Sequence, residues 1–91
     1  MQYLFKVSVE TNNHTGEILA VYFQVRKGKA VEVQEFENGN AFANYGRKGE
    51  LLGIELLAPC KLKVLDQIMK TEPQPRMFVR NAMPRKMLAR A

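Results

Sequence analysis

Ile18-Leu19-Ala20-Val21-Tyr22-Phe23-Gln24-Val25 is the stretch that decides the fold of this 91-residue chain. In an extended strand its apolar side chains point to both sides: Leu19, Val21, Phe23 and Val25 to one face, and Ile18, Ala20 and Tyr22 to the other. A strand that is apolar on both faces is typical of the centre of a covered sheet. The stretch therefore predicts a central strand. The rest of the chain must supply the strands that pair with it and the segments that cover its two faces.

Further strands are predicted by alternating polar and apolar residues and by turn signals between them. The N-terminal residues 2–9 alternate strictly, and a polar loop follows them. Asn38-Gly39 is the strongest short hairpin signal in the chain, and residues 26–29 and 46–49 also predict turns. Since tight turns join short strands, we expect an antiparallel β-meander. The predicted strands lie near residues 2–9, 18–25, 30–36, 41–46 and 51–58.

The C-terminal third predicts one helix and a tail. Apolar residues recur at helical spacing after Pro59, which predicts a helix near residues 60–70 that packs on one sheet face. The prolines at 73 and 75 end this helix. The predicted fold class is α+β: a small antiparallel β-meander of about five strands packed by one helix, with a basic C-terminal tail. Residues 1–72 are the predicted domain, and residues 73–91 are a Pro-containing linker and basic tail.

Charge is distributed unevenly along the chain. The net charge is +5. Residues 1–60 hold six Lys/Arg and seven Glu, whereas residues 61–91 hold eight Lys/Arg against Asp66 and Glu72. The basic character therefore belongs to the C-terminal third, which is typical of an interaction tail.

The tail supplies the predicted partner-binding residues. Its methionines and Phe78 suit an adaptable protein-binding face or ordinary packing. Its arginines and lysine suit nucleic-acid phosphates, although the tail has one aromatic residue and no recognised reading motif. Packing or protein binding is preferred over nucleic acid, and a membrane surface comes last. The residues are Arg76, Met77, Phe78, Arg80, Met83, Arg85, Lys86, Met87, Leu88 and Arg90.

No catalytic chemistry is predicted. The single histidine, His14, lies in a polar loop without convergent partners for a metal or a general base. Cys60 adjoins Lys61 near a possible helix start, which could lower its pKa, but a buried or inert thiol is preferred. Glu55 interrupts an apolar run, and we interpret it as a solvent-side or edge residue paired with a lysine or arginine on a neighbouring strand. Expected catalytic residues, metal ligands and cofactors are therefore none, and we expect a protein that is not an enzyme.

Location follows from what the sequence lacks. One cysteine permits no intramolecular disulfide, and residues 1–10 do not have the apolar core of a signal peptide. No stretch approaches the roughly 20 apolar residues that a membrane span needs. We therefore expect a cytoplasmic protein that does not bind membranes.

Residues 18–65 resemble the YuzE-like small bacterial domain family. The resemblance lies in Tyr22-Phe23, in Gly28-Lys29 and most specifically in the block Gly49-Glu50-Leu51-Leu52-Gly53-Ile54-Glu55-Leu56-Leu57. Leu19 stands where the family often has Asp, and Asn44-Tyr45-Gly46 replaces an Asp-Tyr-Asp-like run. Some relatives occur beside small toxins as suspected antitoxins, so the resemblance implies a protein-binding role.

One amphipathic helix spans roughly 15 Å and covers only one sheet face. Because soluble proteins seldom expose large apolar patches, we expect the other face to be covered. The cover is either a second copy, related by a two-fold axis, or the chain's own tail, with the dimer preferred. The sequence thus favours a non-enzymatic protein-binding or oligomerising module that is antitoxin-like by resemblance. The alternative is a nucleic-acid-binding protein that uses its basic tail.

Overall fold

The computed structural model describes residues 3–61 and 63–87. Five strands precede two α-helices and a 3-10 turn, Arg85–Met87. The predicted α+β class, an antiparallel five-stranded sheet packed by a helix, is confirmed. The elements are β1 (Lys6–Thr11), β2 (Ile18–Gln24), β3 (Glu32–Phe36), β4 (Ala41–Tyr45), β5 (Leu51–Leu57), α1 (Lys63–Ile68) and α2 (Pro73–Ala82).

The strand order differs from that of a simple meander. It is β1-β2-β5-β4-β3, so β2 pairs with β5 and not with β3. The hairpin expected at residues 26–29 is therefore wrong. Residues 25–31 instead pass over the end of the sheet: the backbone N–H groups of Val25 and Arg26 donate to the carbonyl of Leu52 at 2.7 and 3.1 Å. Gly28 has a φ of +153°, and a Cβ there would lie 2.9 Å from Leu52 Cδ2, so this crossing needs glycine.

The core lies on one face of the sheet. Alternate residues of the three central strands point to this face, and both helices pack against them. The buried side chains include Val21, Phe23, Ala41, Ala43, Ile54 and Leu56 from the sheet and Val64, Leu65, Val79 and Met87 from the C-terminal third.

The prolines that end α1 also begin α2. Pro73 and Pro75 occupy the first turn of α2, where a missing backbone N–H breaks no helical hydrogen bond. Pro75 and Val79 are buried, so this helix belongs to the same core as α1. The stretch that the sequence assigned to a linker and tail thus contains a helix, because proline stops a preceding helix but is compatible with the start of the next.

The tail does not cover the second sheet face over the residues described. Helix α2 and Met87 pack on the same face as α1. The version of the covering prediction in which the tail, residues 76–91, folds across the opposite face is therefore wrong for residues 76–87, and Leu88 lies outside the described residues. The physical reason is that Val79 and Met87 find buried contacts beside α1, where both are fully enclosed.

Within residues 3–61 and 63–87, no helix has the length and apolar character needed to cross a membrane.

Candidate functional site

The sheet face turned away from the helices is here called the open face. Pairing registers place five residues side by side across it, one from each strand. Because neighbouring strands are about 4.8 Å apart, this row crosses roughly 19 Å of surface. The row reads Glu35, Phe42, Glu55, Tyr22 and Ser8, so that carboxylates and aromatic rings alternate.

Glu55 lies at the centre of the row on strand β5. Its side chain is exposed, which confirms the predicted solvent-side position. Its direct neighbours across the strands are Tyr22 and Phe42, not a lysine or arginine, so the predicted cross-strand ion pair is wrong. A carboxylate with an aromatic residue on each neighbouring strand is suited to a cationic group, since the carboxylate attracts the charge and the ring faces add cation–π attraction.

Gly53 fixes the position of the Tyr22 ring. A Cβ at residue 53 would lie 2.2 Å from the Tyr22 hydroxyl oxygen, so the phenol can lie over the strand only where there is no side chain. In that position the hydroxyl accepts a long hydrogen bond of 3.4 Å from Asn44 Nδ2. The ring is thus held along the sheet rather than projecting into solvent.

Two shallow concavities flank the Glu55 carboxylate. The larger, about 340 Å³, lies towards strand β3 and is lined by Tyr22, Val33, Phe42, Asn44 and Glu55. The smaller, about 140 Å³, lies towards strand β1 and shares Tyr22 and Glu55. Val33 at the edge of the larger one is 59% exposed. The open face therefore combines shallow, partly apolar concavities with negative charge. Such a surface is suited to the side chains of a partner rather than to an enclosed small molecule.

Charge on the open face is negative although the whole chain is basic. Strand alternation and register place three glutamates and one lysine on it: Lys6, Glu10, Glu35 and Glu55. The described basic residues of the C-terminal third lie on the other side of the sheet, in the layer formed by the helices. The sheet thus separates an acidic, aromatic face from a basic layer.

The predicted partner-binding residues are divided by the structure. Met87 is fully buried, and Phe78 stacks on Phe5 at 4.6 Å between ring centroids, so both side chains pack within the chain's own fold. Met77 is 63% exposed and lies with Arg76 and Arg80 on the outer side of α2. Arg85 and Lys86 are exposed, and Met83 is half-buried. Leu88 and Arg90 lie outside the described residues.

A buried ion pair was not predicted. The Arg26 guanidinium is almost wholly buried; it pairs with the Glu72 carboxylate, and its Nη1 donates to the Leu51 carbonyl at 2.8 Å. The hydrogen bond that it donates to Glu72 raises the pKa of Arg26 above its ordinary value. The Tyr3 ring lies 4.8 Å from the guanidinium carbon. This cluster joins the β2–β3 connection to the start of α2, and no local sequence pattern indicates it.

His14 and Cys60, for which the sequence predicts no catalytic role, lie in different surroundings. His14 is exposed in the β1–β2 loop, as expected, and Cys60 is buried. Burial, with a smaller contribution from Glu37, raises the pKa of the Cys60 thiol, so the suggested lowering by Lys61 is wrong. Over residues 3–61 and 63–87, no three His, Cys, Asp or Glu side chains are grouped to hold a metal ion.

Sequence reasoning singled out Glu55 but missed its aromatic neighbours. Tyr22 and Phe42 were visible only as apolar residues, because a strand pattern does not reveal which residues stand opposite each other.

Comparisons with protein-family models, with curated proteins and with solved structures found no match. The resemblance to YuzE-like domains therefore stays a prediction.

Proposed function

We propose that this chain is a protein-binding module and that its open face receives the partner. The observation that carries the proposal is the position of Glu55 between Tyr22 and Phe42, in the middle of a sheet face that the described part of the tail does not cover. The antitoxin-like role implied by the YuzE-like resemblance is one form of such a module. We further propose that the module itself is not an enzyme and acts in the cytoplasm.

The partner's chemistry follows from the open face. Its three glutamates and one lysine favour a positively charged segment, and its aromatic rings favour one that also carries apolar side chains. An arginine seated over Glu55 donates a charge-assisted hydrogen bond to the carboxylate and contacts the ring on either side. The partner we propose is therefore a protein segment in which arginine or lysine alternates with apolar residues.

A peptide titration tests this proposal. The probe is a ten-residue peptide in which arginine alternates with leucine, and its counterpart with glutamate in place of arginine is the control peptide. Added to the isotope-labelled chain, the arginine peptide should shift the amide NMR signals of Tyr22, Phe42 and Glu55. The control peptide should leave these signals unchanged, because the open face repels its charge.

Two variants locate the binding energy. Glu55→Gln should weaken the arginine peptide about tenfold, since the charge and one charge-assisted hydrogen bond are worth about 1.4 kcal/mol. Gly53→Ala retains the carboxylate but displaces the Tyr22 ring, and should also weaken binding. Glu17→Gln, in the exposed β1–β2 loop, is the matched control and should bind normally. Equal binding by Glu55→Gln and Glu17→Gln would overturn the proposal.

Nucleic-acid binding is the second candidate function. Its supporting observation is that the basic side chains at 61, 63, 70, 80, 85 and 86 are all exposed in the helical layer. The same NMR titration with a short DNA duplex distinguishes the two functions. Nucleic acid should shift the signals of α2 and the 3-10 turn, with an affinity that falls steeply as salt is raised. Shifts confined to the open face would favour the protein-binding function.

A further inference from the structure

Helix α2 has an outer side that faces away from the core formed by the described residues. Its inner side places Pro75 and Val79 in the core. The outer side forms a shallow groove of about 270 Å³ lined by Pro73, Arg76, Met77, Arg80 and Asn81. Arg76 is held near Asp66 at 3.4 Å, in an ion pair exposed to solvent. The outer side thus shows an apolar thioether beside two arginines.

This pattern is complementary to the open face. On the sheet, Phe42 stands between Glu35 and Glu55, whereas on the helix Met77 lies beside the row formed by Arg76 and Arg80. The two arginines are about 6 Å apart along the helix axis, and the two carboxylates lie two strands apart, roughly 10 Å. Arginine side chains are long enough to span this difference. A methionine sulfur also makes favourable contact with an aromatic ring.

The two surfaces cannot meet within one chain. Helix α2 packs on one side of the sheet with its outer side turned away, and the acid–aromatic row lies on the other side. A contact between them therefore requires two copies, in which the helix of one approaches the sheet of the other. Such a contact is heterologous, meaning that it joins two different surfaces.

We propose that the partner of the open face is the outer side of α2 of a second copy of this chain. This inference rests on the proposed protein-binding function and names the occupant of the same surface. It replaces the two-fold dimer expected from the sequence, because packing two open faces together would bring two surfaces of the same negative charge into contact. Like charges brought together in an interface cost free energy, whereas the helix of a second copy brings arginines.

Contacts between two different surfaces lead to open-ended assembly. An open assembly built from heterologous contacts retains one unused surface of each kind, at its two ends, until a ring closes. The mass of the assembly should therefore keep rising with concentration instead of stopping at a dimer. High salt should weaken the association, since the charged groups that carry it lie at the protein surface.

A mixing experiment in sedimentation velocity tests the proposal. Glu55→Lys disables the open face and leaves α2 intact; the double variant Met77→Ser with Arg80→Gln disables α2 and leaves the open face intact. All three side chains are exposed, so both proteins should fold, which circular dichroism verifies. Each variant alone should remain monomeric at concentrations where the native chain associates. Mixed together they retain one intact pair of surfaces, and should form a one-to-one complex and nothing larger.

Matched controls change the same charges elsewhere. Glu17→Lys and Lys70→Gln alter exposed residues outside both surfaces, and these proteins should associate as the native chain does. Self-association of the Met77→Ser/Arg80→Gln variant at native strength, with no new complex on mixing, would point to a two-fold contact between sheet faces and overturn the proposal. A native chain that is monomeric at every concentration would also overturn it. The arginine-peptide titration would still test the proposed function separately, because it measures binding to the open face and does not depend on helix α2.

Discussion

Single residues decide what the two sides of the sheet can do. Gly53 is required by its neighbour, since a side chain there would displace the Tyr22 phenol from the open face. Glu55 is functional in our interpretation because its neighbours across the strands are aromatic, and a lysine in either place would have neutralised it. Cys60, by contrast, is a core residue, with its thiol enclosed beneath the sheet.

The pH dependence of stability tests the environment of Cys60. Burial raises the pKa of this thiol in the folded chain above its unfolded value of about 8.5. The folded state therefore holds the thiol proton more tightly, and this contribution to stability is complete below the unfolded pKa and is lost as the pH rises through the folded pKa. In urea titrations across alkaline pH, the native chain should lose stability faster than Cys60→Ala. Parallel pH profiles would show that the thiol is not shielded.

At the scale of elements, the fold depends on how the helices are attached to the sheet. Helix α1 is only six residues long, and an isolated helix of that length is not stable in water. It persists because Val64 and Leu65 are buried against the sheet. The Arg26–Glu72 pair fixes the point at which α2 begins, next to the start of strand β5.

Breaking that pair should destabilise the chain. Glu72→Gln leaves the buried Arg26 guanidinium without its carboxylate, and we expect a loss of about 2 kcal/mol in the free energy of unfolding measured with urea. Asp66→Asn is the matched control, because it removes the exposed partner of Arg76. An exposed pair contributes little, so this variant should lose no more than about 0.5 kcal/mol. Equal losses in the two variants would contradict the structural role of Arg26.

At the scale of the whole molecule, one core includes both the sheet and the C-terminal third. Val79 and Met87 are fully buried beside residues of strands β2 and β5. The sequence predicts a domain of residues 1–72 and a separate tail of residues 73–91. Because the core contains side chains from both parts, removing the tail tests this division directly.

A chain that ends at Glu72 should not fold to the native state. It loses the side chains of Val79 and Met87 from the core, each worth about 1.5–3 kcal/mol, together with the remainder of α2. A domain of this size has a total stability of only about 5–14 kcal/mol. We expect its NMR spectrum to be poorly dispersed, whereas the full chain carrying Met77→Ser should keep native dispersion because Met77 is exposed. A native-like spectrum from residues 1–72 would instead support the division into domain and tail.

The sequence by itself determined the elements that local pattern encodes. Period-two alternation located the five strands to within a few residues, and the spacing of Leu65 and Ile68 located α1. Asn38-Gly39 marked the β3–β4 connection, where Asn38 and Gly39 both have positive φ. These features depend on residues close together in the chain, so the sequence displays them directly.

Only the tertiary structure decided which surfaces these elements form. Strand β2 pairs with β5 rather than β3, and this pairing brings Tyr22 to Glu55, a residue more than thirty positions away. Alternation assigns a side chain to a face but does not state which strand lies beside it. In the same way, Arg26 and Glu72 meet only because α2 packs on the sheet. The candidate site consists of contacts between distant residues, and such contacts follow from the free energy of the whole fold rather than from any local pattern.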